Sequence, residues 1–175
     1  MIVYKFLCAG GIGPFSGYRW PLPEPGAAGP WVASAADMVV CHRGVHACRL
    51  SDLPWWLHDE LWEAELDGTV TAGRHKVVAP RGRLLRRIDA WDAACSQRFA
   101  DACAQRASDH AATTPDRIAS AMAKDAARRA RGGHAVVAAY IAAHAAGRVD
   151  GPEAMEAERA WQSEWLRAAL ALPVT

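Results

Sequence analysis

The chain has 175 residues, enough for one domain or for one domain with a helical annex. Apolar residues make up 51% of the sequence, which excludes an intrinsically disordered chain. The net charge of +1 provides no overall attraction to nucleic acid or to an anionic membrane surface. No run approaches the roughly 20 apolar residues that cross a bilayer. We therefore expect a globular protein that binds neither nucleic acid nor membrane.

The amino-terminal segment, MIVYKFLCAGG, is apolar for only about eight residues and has no basic lead, so it does not resemble a signal peptide. We therefore expect a cytoplasmic protein. Its five cysteines would be reduced in that compartment, and they do not form the CxxC pairs of a zinc ribbon.

Short β-like segments separated by glycine turns dominate the chain up to Asp89. Residues 2–8 alternate between two faces, which predicts a first strand. The segment GGIGPFSG predicts a turn, since glycine supplies the positive φ angles of a tight reversal. A short return strand at residues 18–20 and two further extended segments, 38–41 and 45–48, are expected to follow.

Ser51 is the predicted N-cap of a short helix. The alternating segment 61–66 predicts a strand with Trp62 facing inward and Glu63 on the opposite face. Asp67-Gly68 predicts a hairpin turn. Three further strands are expected to complete a mostly antiparallel sheet: around Val70, around residues 77 and 78, and around residues 84 and 85.

From residue 90 onward the apolar period changes to 3.6 residues, which indicates helices rich in alanine. Thr114-Pro115 predicts the start of a helix with Ile118 and Met122 inward. Gly147 is expected to close the next helix, and Gly151-Pro152 to open the last. The stripe of that last helix is expected to contain four residues: Trp161, Trp165, Ala169 and Leu172.

The predicted fold class is therefore α+β, a mostly antiparallel twisted sheet followed by an alanine-rich helical segment of about four helices. The β-rich domain is expected over residues 1–89. The helical segment, residues 90–175, is expected to pack on it or to form the face of a homodimer.

The stretch CHRGVHAC, residues 41–48, concentrates the residue types that carry chemistry. His46 and Cys48 share a strand face about 6–7 Å apart. Together with Cys41 they are the ligands to expect if a metal binds, although the spacing matches no common zinc module and we expect no metal. A disulfide between Cys41 and Cys48, and cysteines that only pack in the core, are alternatives. In a catalytic interpretation, His46 or His42 is an acid–base group, because imidazole titrates near neutrality.

Two charged features have both a functional and a structural interpretation. Glu63 can supply a carboxylate to a catalytic site, or it can belong to a solvated strand face. The stretch RHKVVAPRGRLLRRI contains six lysines and arginines and no acid. Its Arg81, Arg83 and Arg86 can hold a phosphate or carboxylate, or they can pair with acidic residues elsewhere.

Five segments carry a family resemblance in their order and spacing: YKFL, GPFSGYRWP, CHRGVHACRLSDLPWWL, ELWEAELDG and KVVAPRGRLLRRIDAW. Over residues 1–91 the chain resembles a group of actinobacterial proteins with no assigned activity. It is also similar to a wider bacterial and phage domain with a YKGF-like first strand and a GFHAC-like strand. This resemblance implies no substrate.

The order of strands also resembles that of ADP-ribosyltransferase-like folds. This likeness would place Lys5 near the residue that positions NAD, and Tyr18 or Trp20 near the nicotinamide stack. The chain has Lys5 where those folds have Arg or His, and it shows no late-strand catalytic glutamate. The likeness is therefore one of fold alone, and NAD is a cofactor that only this likeness suggests.

Eight tryptophans, most of them in the first half, can form a heavy core or line a pocket. We predict a pocket for an anionic or aromatic small molecule in an enzyme whose acid–base residue is His46. The alternative is a non-catalytic interaction module, in which the tryptophans are core. The predicted ligand-binding residues are Lys5, Arg19, Trp20, Arg43, Cys48, Trp55, Trp56 and Trp62, with His46, His42 and Glu63 as catalytic candidates.

Overall fold

The computed structural model describes residues 1–34 and 42–173. The chain divides into two compact units, Met1–Trp91 and Asp92–Thr175. The first unit is β-rich and the second is helical, so the α+β class predicted from the sequence is confirmed. The predicted strand at residues 38–41 lies outside the described residues.

Two antiparallel sheets make up the β-rich unit, in the strand orders β1-β4-β7-β2 and β3-β6-β5. A single bridge between Tyr4 and Cys48 connects β1 to the residue that follows β3. A 3-10 helix, Leu50–Trp55, lies between β3 and β4. The strands are β1 Ile2–Leu7, β2 Val32–Ala33, β3 Val45–Ala47, β4 Glu60–Asp67, β5 Thr71–Gly73, β6 Lys76–Ala79 and β7 Arg81–Arg87.

The core of this unit follows directly from strand alternation. Trp62, Ala64 and Leu66 are buried on one face of β4, as their spacing predicts. They join residues of both sheets in one apolar cluster, which also contains Val3 and Leu7 of β1. Lys5 stands between these two on the same face of β1, so the sheet directs a lysine toward the core side.

The opposite face of β4 carries cross-strand ion pairs with β7. Glu63 lies opposite Arg86 and Glu65 opposite Arg83, with nitrogen–oxygen distances of 2.6 and 2.7 Å. Asp67 pairs with Arg81 in the same way. Arg81, Arg83 and Arg86 are therefore each paired with an acidic residue, which favours the ion-pair interpretation of these arginines over phosphate binding.

Three local predictions in this unit are wrong. Residues 18–20 do not form a return strand, since only Arg19 makes a single bridge, with Ile12. Asp67-Gly68 is not a hairpin turn, because β4 and β5 belong to different sheets; the two-residue hairpin loop is Arg74-His75, between β5 and β6. Ser51 is not the N-cap. Arg49 takes that position, because Asp52 accepts hydrogen bonds from both the backbone and the side chain of Arg49.

The helical unit contains four helices: α1 Ala93–Ala112, α2 Arg117–Arg131, α3 Ala135–Asp150 and α4 Pro152–Ala169. Asp116, rather than Thr114, caps α2, since its carboxylate accepts from two backbone amides of the first turn. Ile118 is 54% exposed, contrary to prediction, and the buried face of α2 consists of alanines. Gly147 lies inside α3, which ends at Gly151, where φ is +91°.

The buried face of α4 is polar, which the apolar stripe did not predict. Leu172 is buried, but Ala169 is exposed and the two tryptophans of that stripe are only half-buried. The carboxylate of Glu158, fully buried, lies 2.6 Å from Arg106 Nε and 3.3 Å from His110 Nε2. Gln162 donates to the backbone oxygen of Ala139 at 2.9 Å. Small alanine faces leave room at the helix contacts for this hydrogen-bonded cluster.

Substituting Glu158 by alanine is expected to lower the free energy of unfolding of the helical unit by about 3 kcal/mol, because partly buried Arg106 and His110 lose their carboxylate. Urea denaturation followed by far-ultraviolet circular dichroism measures this change. The matched control is Glu164→Ala on the same helix, since Glu164 also pairs with an arginine but is 61% exposed. Equal losses in the two variants would contradict the buried-cluster interpretation.

Candidate functional site

A cavity of about 710 Å³ lies within the β-rich unit, a size that suits a small-molecule ligand. Strand β1, the loop from Gly13 to Trp20 and the segment around β3 supply most of its described lining. The sequence-predicted residues that line it are Lys5, Trp20, His42, His46, Cys48 and Trp56.

Lys5 is the most unusual of these residues, because its ammonium is held in a desolvated position. Its Nζ donates to the backbone oxygen of His46 at 2.6 Å and lies 4.7 Å from the ring centroid of Trp20. Burial lowers the pKa of Lys5 to about 8. The side chain is therefore still charged at neutral pH, but it loses its proton at a lower pH than an ordinary lysine does.

His46 is oriented by a backbone contact within its own turn. Its Nδ1 lies 3.0 Å from the oxygen of Gly44, and because a carbonyl oxygen only accepts, Nδ1 carries the hydrogen. Gly44 has φ of +130°, and a side chain there would collide with Val78. Burial, followed by the charges of Lys76 and Lys5, lowers the pKa of His46. The imidazole is thus neutral at pH 7, with Nε2 as its basic nitrogen.

Cys48 contributes an apolar surface rather than a reactive sulfur. It is a free, buried thiol whose Sγ donates to the backbone oxygen of Tyr4 at 3.3 Å. Burial raises the pKa of this thiol far above its usual range, so Cys48 is protonated at neutral pH. Cys41, the other half of the predicted disulfide, lies outside the described residues. The ligand set named for the case that a metal binds (Cys41, His46 and Cys48) includes Cys41 and therefore extends beyond the described residues.

Aromatic rings form much of the remaining lining of the cavity. Tyr18 meets Trp20 edge-on at 5.9 Å between centroids, and Phe15 meets Trp56 at 6.0 Å. Phe15 is 86% exposed. Lys76 Nζ lies 5.5 Å from the Trp56 ring. The cavity thus combines cationic groups with the faces and edges of aromatic rings.

The structure places the remaining predicted residues elsewhere. Trp55 stacks on His75 at 3.8 Å, and the buried indole of Trp62 donates to Glu60 at 3.0 Å. Glu63 lies on the face of β4 opposite the core and pairs with Arg86, so it does not accompany His46. Arg19 and Arg43 are exposed and are not among the residues that line the cavity.

Several lining residues were missed by the sequence-based prediction: Tyr4, Phe15, Ser16 and Lys76. Phe15 and Ser16 belong to the GPFSG turn. An aromatic ring within a turn could have been taken as a sign of a ligand-binding residue. Lys76 stands among five arginines in the basic stretch, and no local pattern indicated that it, rather than an arginine, lines the cavity. Tyr4 alternates with Lys5 on the first strand, and nothing in the sequence indicates that both line one cavity.

Comparison with protein-family models, with curated proteins and with solved structures found no significant match to this chain. The resemblance to the actinobacterial proteins and the likeness to ADP-ribosyltransferase-like folds therefore stay predictions. Among the described residues, no helix combines the length and apolar character that crossing a membrane requires.

The lowered pKa of Lys5 has a consequence for stability. Between pH about 8 and 10.5 the unfolded chain holds a proton that the folded chain has released, so the free energy of unfolding should rise with pH across this interval. Lys5→Met removes this contribution. Urea denaturation followed by tryptophan fluorescence at several pH values compares the two proteins, and identical slopes would contradict the desolvated position of Lys5.

His46 should be found as the Nδ1–H tautomer at neutral pH, with a pKa below the ordinary value of 6.5. Nitrogen-15 NMR distinguishes the protonated from the unprotonated ring nitrogen and follows the titration. The His46→Gln spectrum assigns the signal. An Nε2–H tautomer, or a pKa of His46 above 6.5, would rule out the proposed orientation.

Proposed function

We propose that the β-rich unit binds an anionic small molecule with a flat unsaturated group in this cavity. One observation supports this most directly: the described lining contains two lysines and two histidines and no acidic residue. Arginines on the other face of the sheet have acidic partners, whereas Lys5 meets a carbonyl oxygen and a ring. A bound anion would complete the charge balance of the cavity.

Lys5 is the proposed anchor for the negative group of the ligand. A hydrogen bond to a charged group contributes about 1.5–3 kcal/mol of net free energy. The bond is stronger where water is excluded, because the local dielectric constant is lower. Because Lys5 is already fixed by the His46 carbonyl and by Trp20, little side-chain entropy remains to be lost on binding. Trp20, Trp56 and Tyr18 would contact the flat part of the ligand.

Any chemistry in this cavity would depend on His46. With Nδ1–H directed to the Gly44 oxygen, Nε2 accepts a proton from a bound substrate and can return it. The nearby charges of Lys76 and Lys5 favour the neutral base. We therefore propose an acid–base enzyme, with ligand binding as the part that the geometry supports best.

A nicotinamide dinucleotide is one ligand with this chemistry. Lys5, Tyr18 and Trp20, the residues that the ADP-ribosyltransferase likeness singles out, line the same cavity. The described lining lacks the glutamate that transfer of ADP-ribose would use. This observation favours binding of NAD over its cleavage.

Isothermal titration with 1-naphthoate tests the proposal, with uncharged 1-naphthylmethanol as the matched ligand. We expect the acid to bind more tightly, and Lys5→Gln to weaken its binding by at least about tenfold without affecting the alcohol. Binding of the acid should also weaken above pH about 8, where Lys5 loses its proton. The same titration with NAD tests the dinucleotide.

Two further variants make this experiment decisive. Lys124→Gln removes an exposed lysine of α2 and should bind 1-naphthoate like the unsubstituted protein. Lys5→Arg retains the charge and should preserve binding at a pH where the lysine form has lost it. Equal affinity for acid and alcohol, or equal losses in Lys5→Gln and Lys124→Gln, would overturn the proposed function.

A further inference from the structure

A cluster of reactive side chains outside the cavity lies where the pairing of β1 with β4 ends. Leu7, the last residue of β1, pairs with Glu60, the first residue of β4. Continuing this antiparallel register by one residue brings Cys8 beside Asp59, with His58 next along the chain. The three side chains are thus brought together by the sheet although about fifty residues separate them.

The distances in this cluster suit one metal ion. Cys8 Sγ lies 3.7 Å from His58 Nε2, and one ligand atom from each of the three residues lies within 4.8 Å of the others. Bond lengths of about 2.3 Å to sulfur and about 2.0 Å to nitrogen place these atoms about 3.6 Å apart around tetrahedral zinc. The sulfur–nitrogen pair already has this separation, and rotation of the exposed Asp59 carboxylate would complete the site.

Surrounding hydrogen bonds position the backbone segments that carry these ligands. Trp91 Nε1 donates to the backbone oxygen of His58 at 2.7 Å, and Ala9 N–H donates to Asp59 Oδ2 at 3.0 Å. Backbone pairing of Cys8 with Ile12 closes the turn that carries the sulfur. Contacts of this kind orient metal ligands in proteins.

Accessibility separates Cys8 from the other described cysteines. Cys48, Cys95 and Cys103 are buried, and burial raises the pKa of each of these thiols. Cys8 is only partly buried, and His58 and Asp59 are exposed. A metal ion can therefore reach this sulfur from solution.

We propose that Cys8, His58 and Asp59 form a binding site for a zinc-class divalent transition ion, with solvent as the fourth ligand. A thiolate and an imidazole select such ions over magnesium and calcium, which prefer oxygen.

On binding, the Cys8 thiol releases its proton to solvent. Coordination through Nε2 requires the ring hydrogen on Nδ1, which lies 3.4 Å from the Asp59 carboxylate and would give up the hydrogen bond that it accepts from the Asp59 backbone N–H at 3.0 Å. Affinity therefore rises with pH.

Cobalt titration of the reduced, metal-free full-length chain tests this site, because a thiolate-to-cobalt charge-transfer band reports sulfur ligation directly. We expect one cobalt ion per chain, displaced by zinc. Cys8→Ser should abolish the band, and His58→Gln and Asp59→Asn should each weaken binding by at least about tenfold. The controls His134→Gln and Asp89→Asn, at exposed positions outside the cluster, should leave the titration unchanged.

Protection of Cys8 from iodoacetamide by zinc, followed by mass spectrometry of the unsubstituted protein, gives a second measurement that needs no variant to fold. Zinc should slow the alkylation of Cys8. A charge-transfer band that persists in Cys8→Ser, or one that does not depend on His58 and Asp59, would overturn the proposal. Fast alkylation of Cys8 that zinc does not slow would overturn it as well.

Discussion

The antiparallel pairing of β1 with β4 is the constraint on which both candidate sites depend. Its register sets Lys5 opposite Trp62 on the core side, and it leaves Tyr4 to bridge to Cys48. The same register ends with Leu7 opposite Glu60, beyond which the metal-ligating cluster lies. Because side chains alternate along a strand, a slip of one residue would turn Lys5 to the opposite face. The cavity and the cluster are therefore two products of one strand pairing.

Charge is distributed unequally between the two faces of this sheet. On one face, acidic residues of β4 neutralise arginines of β7 one by one. On the other, the Lys5 ammonium has the His46 carbonyl and the Trp20 ring as its neighbours. A carbonyl dipole stabilises an ammonium without cancelling its charge, so the described lining of the cavity has an excess of cationic groups although the whole chain is almost neutral. The balance of the whole sequence conceals this local excess.

The helical unit uses a different means of specifying its packing. Alanine faces permit close approach but bury little area per residue, so they fix the partners of a helix only weakly. The buried carboxylate of Glu158, held by Arg106 and His110, and the bond from Gln162 to Ala139 each require one arrangement of the helices. A displaced helix would leave these groups buried without hydrogen bonds.

The sequence by itself determined what depends on near neighbours: the alternation that forms β4, the change to helical periodicity near residue 90, and the extended segment that carries His46. It did not determine which strands pair, so the Asp67-Gly68 turn was misassigned. It also missed the helix cap at Asp116, where neighbouring residues offer competing hydrogen bonds. Only the tertiary structure placed Phe15 and Lys76 at the cavity, separated Glu63 from His46, and brought Cys8 to His58. Contacts between residues tens of positions apart depend on strand register, which the burial of the whole core selects and no local pattern encodes.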